Sequence, residues 1–195
     1  MMYPALQSPP PVYHGAVKAP PLHFYFYDDI TEPVNYCELV YTLDHAEKGD
    51  EVHIHLATGG GDMESAIVIV HAIQRTQATV IGYADGGVAS AGTIILLSCQ
   101  HIVVSPFSHF LIHDGSLGTP RMKFSENLKQ AKAVCELYEK LARSVYGHFF
   151  TEDEITRILD GSDCYVTSEQ MSDRLEIGFA KLDAIAAAEG GTPEE

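Results

Sequence analysis

The stretch from Ala78 to Leu97 constrains this chain most. An apolar run rich in β-formers, Ala78-Thr79-Val80-Ile81-Gly82-Tyr83-Ala84, is followed by Gly86-Gly87-Val88-Ala89-Ser90-Ala91-Gly92 and then by a second apolar run, Thr93-Ile94-Ile95-Leu96-Leu97. The pattern predicts a strand, a glycine-rich turn and a buried helix, with Ser90 at the helix N-terminus. Free backbone N–H groups and the positive end of the helix dipole favour a developing negative charge there. Ser90 is therefore a candidate nucleophile, and equally a plain N-cap.

The flanking segments repeat this alternation. Leu22–Tyr27 reads as an aromatic strand closed by Asp28-Asp29, and Thr31-Glu32-Pro33 as a helix start. That helix carries Val34, Cys37, Val40 and Ala46 and stops at Gly49. Glu51–Ala57 alternates, with Val52, Ile54 and Leu56 on one face and His53 and His55 on the other. Two histidines at that spacing suit a metal, but no third ligand is marked, so they read as exposed strand residues and no metal is expected. Thr58-Gly59-Gly60-Gly61-Asp62 lets the backbone approach another group closely. It is not a phosphate loop, because no Gly-Lys-Ser/Thr follows. Met63, Ala66, Ile67, Val70 and Ile73 fall at helical spacing and complete a β-α-β unit, which makes the chain an α/β protein.

Further strands are expected at His101–Val104 and at Phe110–Ile112, the latter ending at His113. Leu128, Ala131, Val134, Cys135, Tyr138, Leu141 and Val145 mark a long amphipathic helix, read either as core packing or as a face for a neighbouring subunit. Thr151–Glu154 is a capping box that opens a helix through Ile158. Asp160-Gly161-Ser162-Asp163 turns into a strand at Cys164–Val166, Ser168–Leu175 is a short helix, and Ile177–Ala180 returns toward the sheet. The expected organisation is a proline-rich arm over residues 1–21, one domain over 22–183, and a flexible acidic tail over 184–195.

A formal charge of −15 on 195 residues argues against nucleic acid and anionic membrane surfaces as partners. The four cysteines form no Cys-x-x-Cys pair and read as small core residues of a reducing compartment. No run has the length of a membrane span, and the N-terminus lacks the basic and apolar regions of a secretory signal, so the cytoplasm is the expected location. No cofactor motif stands out.

The polar residues at strand ends and turns are Ser90, His113 and Asp163. Serine attack on an amide needs a base, a group that orients the base, and N–H donors for the oxyanion, which Gly60 and Ala91 can supply. Gly60-Gly61, Ala89-Ser90-Ala91-Gly92, Leu111-Ile112-His113 and Asp163-Cys164-Tyr165, in this order, resemble the ClpP-type serine peptidases over about Leu22 to Asp183. Ser168-Glu169-Gln170 and Ile177-Gly178-Phe179 are similar to that family's closing segment. The extra Gly59 leaves the register of the glycine pair open by one residue.

The resemblance implies stacked β-β-α units of the ClpP/crotonase type with a protruding handle helix around Ala131–Val145. It implies Ser90 as nucleophile, His113 as general base and then acid, Asp163 as its orienter, and the N–H groups of Gly60 and Ala91 as the oxyanion hole. It also implies unfolded polypeptide as substrate, heptameric rings that stack into a fourteen-subunit chamber, and an AAA+ unfoldase as partner. The chain departs from the family at Asp114-Gly115, where Gln-Pro is common, and at Ser162, where an arginine that helps the rings dock is common. The proline-rich start also differs from the usual pore-lining segment. Competing readings are a phage-type capsid-maturation protease, a serine–lysine peptidase using Lys123, a crotonase-like acyl-CoA enzyme needing only the paired N–H donors, and an inactive ring scaffold.

Overall fold

The computed structural model describes residues 21–116, 118 and 123–189; the expected arm at 1–20 and the last residues of the expected tail lie outside these. Six strands form one sheet in the order β1-β2-β3-β5-β6, with β4 also paired to β3. They are β1 Leu22–Phe26, β2 Glu51–Thr58, β3 Thr79–Ala89, β4 His101–Val104, β5 His109–Ile112 and β6 Cys164–Thr167. The β1–β5 pairings are parallel, whereas β5 and β6 run antiparallel. Three helices follow the first three strands: α1 Cys37–His45, α2 Met63–Arg75 and α3 Ala91–Leu97. The chain closes with α4 Phe124–Tyr146, α5 Glu152–Leu159 and α6 Ser168–Glu189.

Alternation divides the sheet into two unlike faces. Val52, Ile54, Leu56, Val80 and Ala84 are buried with Leu39, Leu43, Ile69 and Ile95 of the helices and form the core. The opposite face of β1–β3 carries a polar aromatic stack. His23 lies over His53, Tyr25 over His55, and His55 over Tyr83 at ring separations of 4.5, 4.7 and 4.5 Å. His23 and His55 share a hydrogen bond, and His55 also bonds to Asp85. His53 is not the exposed strand residue expected: it is only 8 % accessible beneath this stack, its Nδ1 meets the Tyr83 hydroxyl, and burial lowers its pKa.

Several elements differ from the sequence expectation. Gly86-Gly87 is not a turn, because β3 continues to Ala89. Pairing with β2 steps from Leu56↔Ala84 to Thr58↔Val88, so Asp85–Gly87 is absorbed as a bulge inside the strand. Upstream of it β3 pairs with β4, and downstream with β5. Pro33 opens a 3-10 turn over Pro33–Tyr36, and the buried pair of the following helix is Leu39 and Leu43, one helical turn apart, rather than Val34, which is exposed. Ile177–Ala180 is not a return to the sheet. It lies within α6, where Gly178 leaves space that the Phe149 ring fills and Phe179 packs edge-on to the same ring. Of the cysteines, Cys99 is buried, but Cys37 and Cys135 are exposed. Among the described residues, no helix is long and apolar enough to cross a membrane.

The Thr151 capping box forms as expected, and its Glu154 also pairs with Arg174 of α6 at 2.7 Å, with the guanidinium 4.5 Å from the Phe150 ring centre. Chiefly because of the Arg174 bond, the Glu154 carboxyl is held down at about 2 instead of its ordinary 4.5. A carboxylate whose pKa falls on folding stabilises the fold above its unfolded pKa and loses that contribution as pH drops through the folded one. Glu154→Gln is expected to destabilise the protein by about 1–3 kcal/mol at neutral pH. Urea denaturation across the acid range should show the gap to the parent closing below pH 4.5 toward about 2.

Candidate active site

Ser90 joins β3 to α3 and is the one non-glycine residue with a positive φ, 53°, among the described residues. A strand that enters a helix within a single residue forces this conformation, which an L-residue adopts only when its surroundings hold it. The backbone supplies that hold on both sides. The Ser90 N–H donates to the Leu111 carbonyl of β5 at 2.9 Å, and the Ser90 carbonyl accepts from the Thr93 N–H at 2.9 Å and the Thr93 hydroxyl at 2.7 Å. Its side chain makes no capping hydrogen bond, so Ser90 is not a conventional N-cap.

The glycine turn after β2 lies directly against this elbow. A Cβ on Gly60 would sit 2.6 Å from the Ser90 Cβ and 3.0 Å from the Ala91 nitrogen, so only glycine fits. The Gly60 N–H, however, donates to the Thr58 hydroxyl at 3.1 Å. Gly61 forms an isolated parallel bridge with Ile30, in which the Ile30 N–H donates to the Gly60 carbonyl and the Asp62 N–H to the Ile30 carbonyl. In that pattern the bridged residue's own N–H faces away from its partner. Gly61 thus turns its N–H away from Ile30, and it lines a cavity of about 370 Å³ together with Ser90, Ala91, Asp114 and Tyr138.

His113 and Asp163 come to the same end of the sheet through two ladders. The pairing of Ala89 with Leu111 puts Ser90 level with Ile112, one residue before His113, and the antiparallel pairing of Ile112 with Cys164 puts His113 opposite Asp163. The three positions therefore follow one another across adjacent strands, which lie about 4.8 Å apart in a sheet. Among the described residues, no hydrogen bond joins the three side chains to one another. The His113 carbonyl accepts from the Tyr138 hydroxyl of α4 at 2.5 Å, and Asp163 lines a separate cavity with Arg157 and Arg174. Burial, assisted by Asp114, pushes the Tyr138 phenol up to about 12.

Thr58, Thr93 and Tyr138 shape the site but were not among the site candidates read from sequence. Their signal lies in long-range pairings that no local pattern carries. Gly61 had a trace, the third glycine of the run. Among the described residues, no group of three His, Cys, Asp or Glu side chains is arranged to hold a metal.

Comparison with known proteins identifies the family. The chain is 26% identical over 136 residues to the ATP-dependent Clp protease proteolytic subunit 3 of Parasynechococcus marenigrum (strain WH8102), a match covering 67% of this chain and 66% of the relative's length. The sequence profile described as Clp protease matches residues 26–179, which takes in every strand but the first residues of β1 and every catalytic candidate. The chain belongs to the Clp protease family.

Proposed function

We propose that this protein is a serine endopeptidase that cleaves unfolded polypeptides with Ser90, His113 and Asp163. The observation that carries the reading is the strained Ser90 elbow at the same end of the sheet as His113 and Asp163, in a chain of the Clp protease family. In this reaction the His113 imidazole takes the Ser90 hydroxyl proton as Oγ attacks the scissile carbonyl. The N–H groups of Ala91 and Gly61 stabilise the oxyanion; Gly61 replaces Gly60 in this role because the Gly60 N–H is already committed to Thr58. The protonated imidazole, oriented by Asp163, passes its proton to the leaving amine, and water then hydrolyses the acyl-enzyme by the same steps in reverse. Side-chain hydrogen bonds of such a triad commonly tighten only when substrate is bound.

The exposed apolar half of α4 supports assembly into rings. Phe124 and Leu128 are 96 % and 74 % accessible, whereas the buried residues of the helix begin only at Tyr138. Copies of this chain are the proposed cover, in seven-membered rings that stack through α4. The relative's name, with its reference to ATP, supports an ATP-driven unfoldase as a further partner.

A fluorophosphonate probe should label the protein at Ser90, and Ser90→Ala should abolish labelling; labelling elsewhere in a folded assembly would refute the assignment. His113→Ala and Asp163→Asn should each slow peptide hydrolysis by about 100-fold or more, read from steady-state kinetics. Light scattering should give a mass several times the 21.3 kDa of the protomer, and a stable monomer would rule out the chamber.

A further inference from the structure

One face of α4 reaches the backbone of both catalytic candidates. The buried Tyr138 hydroxyl donates to the His113 carbonyl at 2.5 Å. The Tyr146 hydroxyl, also buried, lies 2.9 Å from Thr93 Oγ1, and Thr93 Oγ1 donates its own proton to the Ser90 carbonyl. Since the threonine proton is spent on Ser90, Tyr146 must be the donor to Thr93. Burial pushes both phenols upward, so both remain donors at physiological pH. The two hydrogen-bonded routes leave the same helix about two turns apart and end on the two residues that must meet for proton transfer.

We propose that Tyr138 and Tyr146 are positioning residues that set the spacing between Ser90 and His113, with α4 as the common ruler. The inference rests on the roles given to Ser90 and His113 above. Neither tyrosine touches the reacting atoms through these bonds. Tyr138 fixes the main chain where β5 ends, just before Asp114 and Gly115, and the Gly115 backbone lies against the Tyr138 ring. Without the hydroxyl, the His113 backbone loses this hydrogen bond to α4 and the imidazole loses its set distance from Ser90. Tyr146 acts one residue further away, by holding the Thr93 hydroxyl on the carbonyl of the strained elbow.

The test compares Tyr138→Phe and Tyr146→Phe with Val145→Ala, which removes buried methyl groups from the same helix but no hydroxyl. In the full-length assembled protein, Tyr138→Phe should lower kcat for a peptide substrate by about 10-fold or more with KM within about twofold. The rate of fluorophosphonate labelling at Ser90 should fall in parallel, and the pH–rate profile should lose the limb imposed by an imidazole base. Tyr146→Phe should lower kcat in the same sense, while Val145→Ala should lower the melting temperature and keep kcat per folded protein. Unchanged kcat and labelling in both tyrosine variants would overturn the positioning role. So would losses that merely track the folded fraction, as in Val145→Ala. If the parent protein is not labelled at Ser90, the peptidase reading itself fails, a result distinct from a labelled parent whose tyrosine variants react at the same rate.

Discussion

The site depends on one hydrogen bond between strands distant in sequence, from the Ser90 N–H to the Leu111 carbonyl. Ser90 has a backbone conformation that costs an L-residue about 1–3 kcal/mol, so it persists only where neighbours determine it from several directions. The β5 carbonyl holds it from one side and Thr93 from the other. Because the same β5 segment leads directly into His113, the bond that holds the elbow also sets the register, with Ile112 level with Ser90 and His113 one residue beyond.

The division of β3 makes this arrangement possible. Its first half is occupied by β4 and its second half by β5, with the Asp85–Gly87 bulge between them. Gly87 takes the ring of His109 at a distance where a Cβ would lie 2.7 Å from it. A side chain at that position would displace the His109 ring from its place against β3. The glycines serve close packing between strands, and the turn into the helix falls instead on Ser90 itself.

Local reading was most accurate where one helix or strand could be judged by its own period. The alternation of Val52, Ile54 and Leu56 identified the core face of β2, and the Thr151–Glu154 capping box marked the start of α5. It failed at Ile177–Ala180, where β-branched and aromatic residues sit in a helix because Gly178 and Phe179 fit against Phe149. It also merged the two halves of α4, since a continuous apolar stripe looks the same whether its cover lies in the protomer or outside it. His53 appeared to be a surface residue for a related reason: its burial comes from rings on β1 and β3, not from its own strand.

The amino-acid order alone determined the α/β alternation, the acidic character, and the succession of Gly-Gly, Ser90, His113 and Asp163 that resembles the ClpP-type peptidases. It determined these because each is a property of composition, period or spacing along the chain. Tertiary structure decided that Ser90 is an elbow and not a cap, that the Gly60 N–H is spent on Thr58 while Gly61 lines the cavity, and that α4 is hydrogen-bonded both to His113 and to Thr93 beside Ser90. Each of these turns on which donor meets which acceptor across the fold, and only strand pairing and helix packing fix such partners.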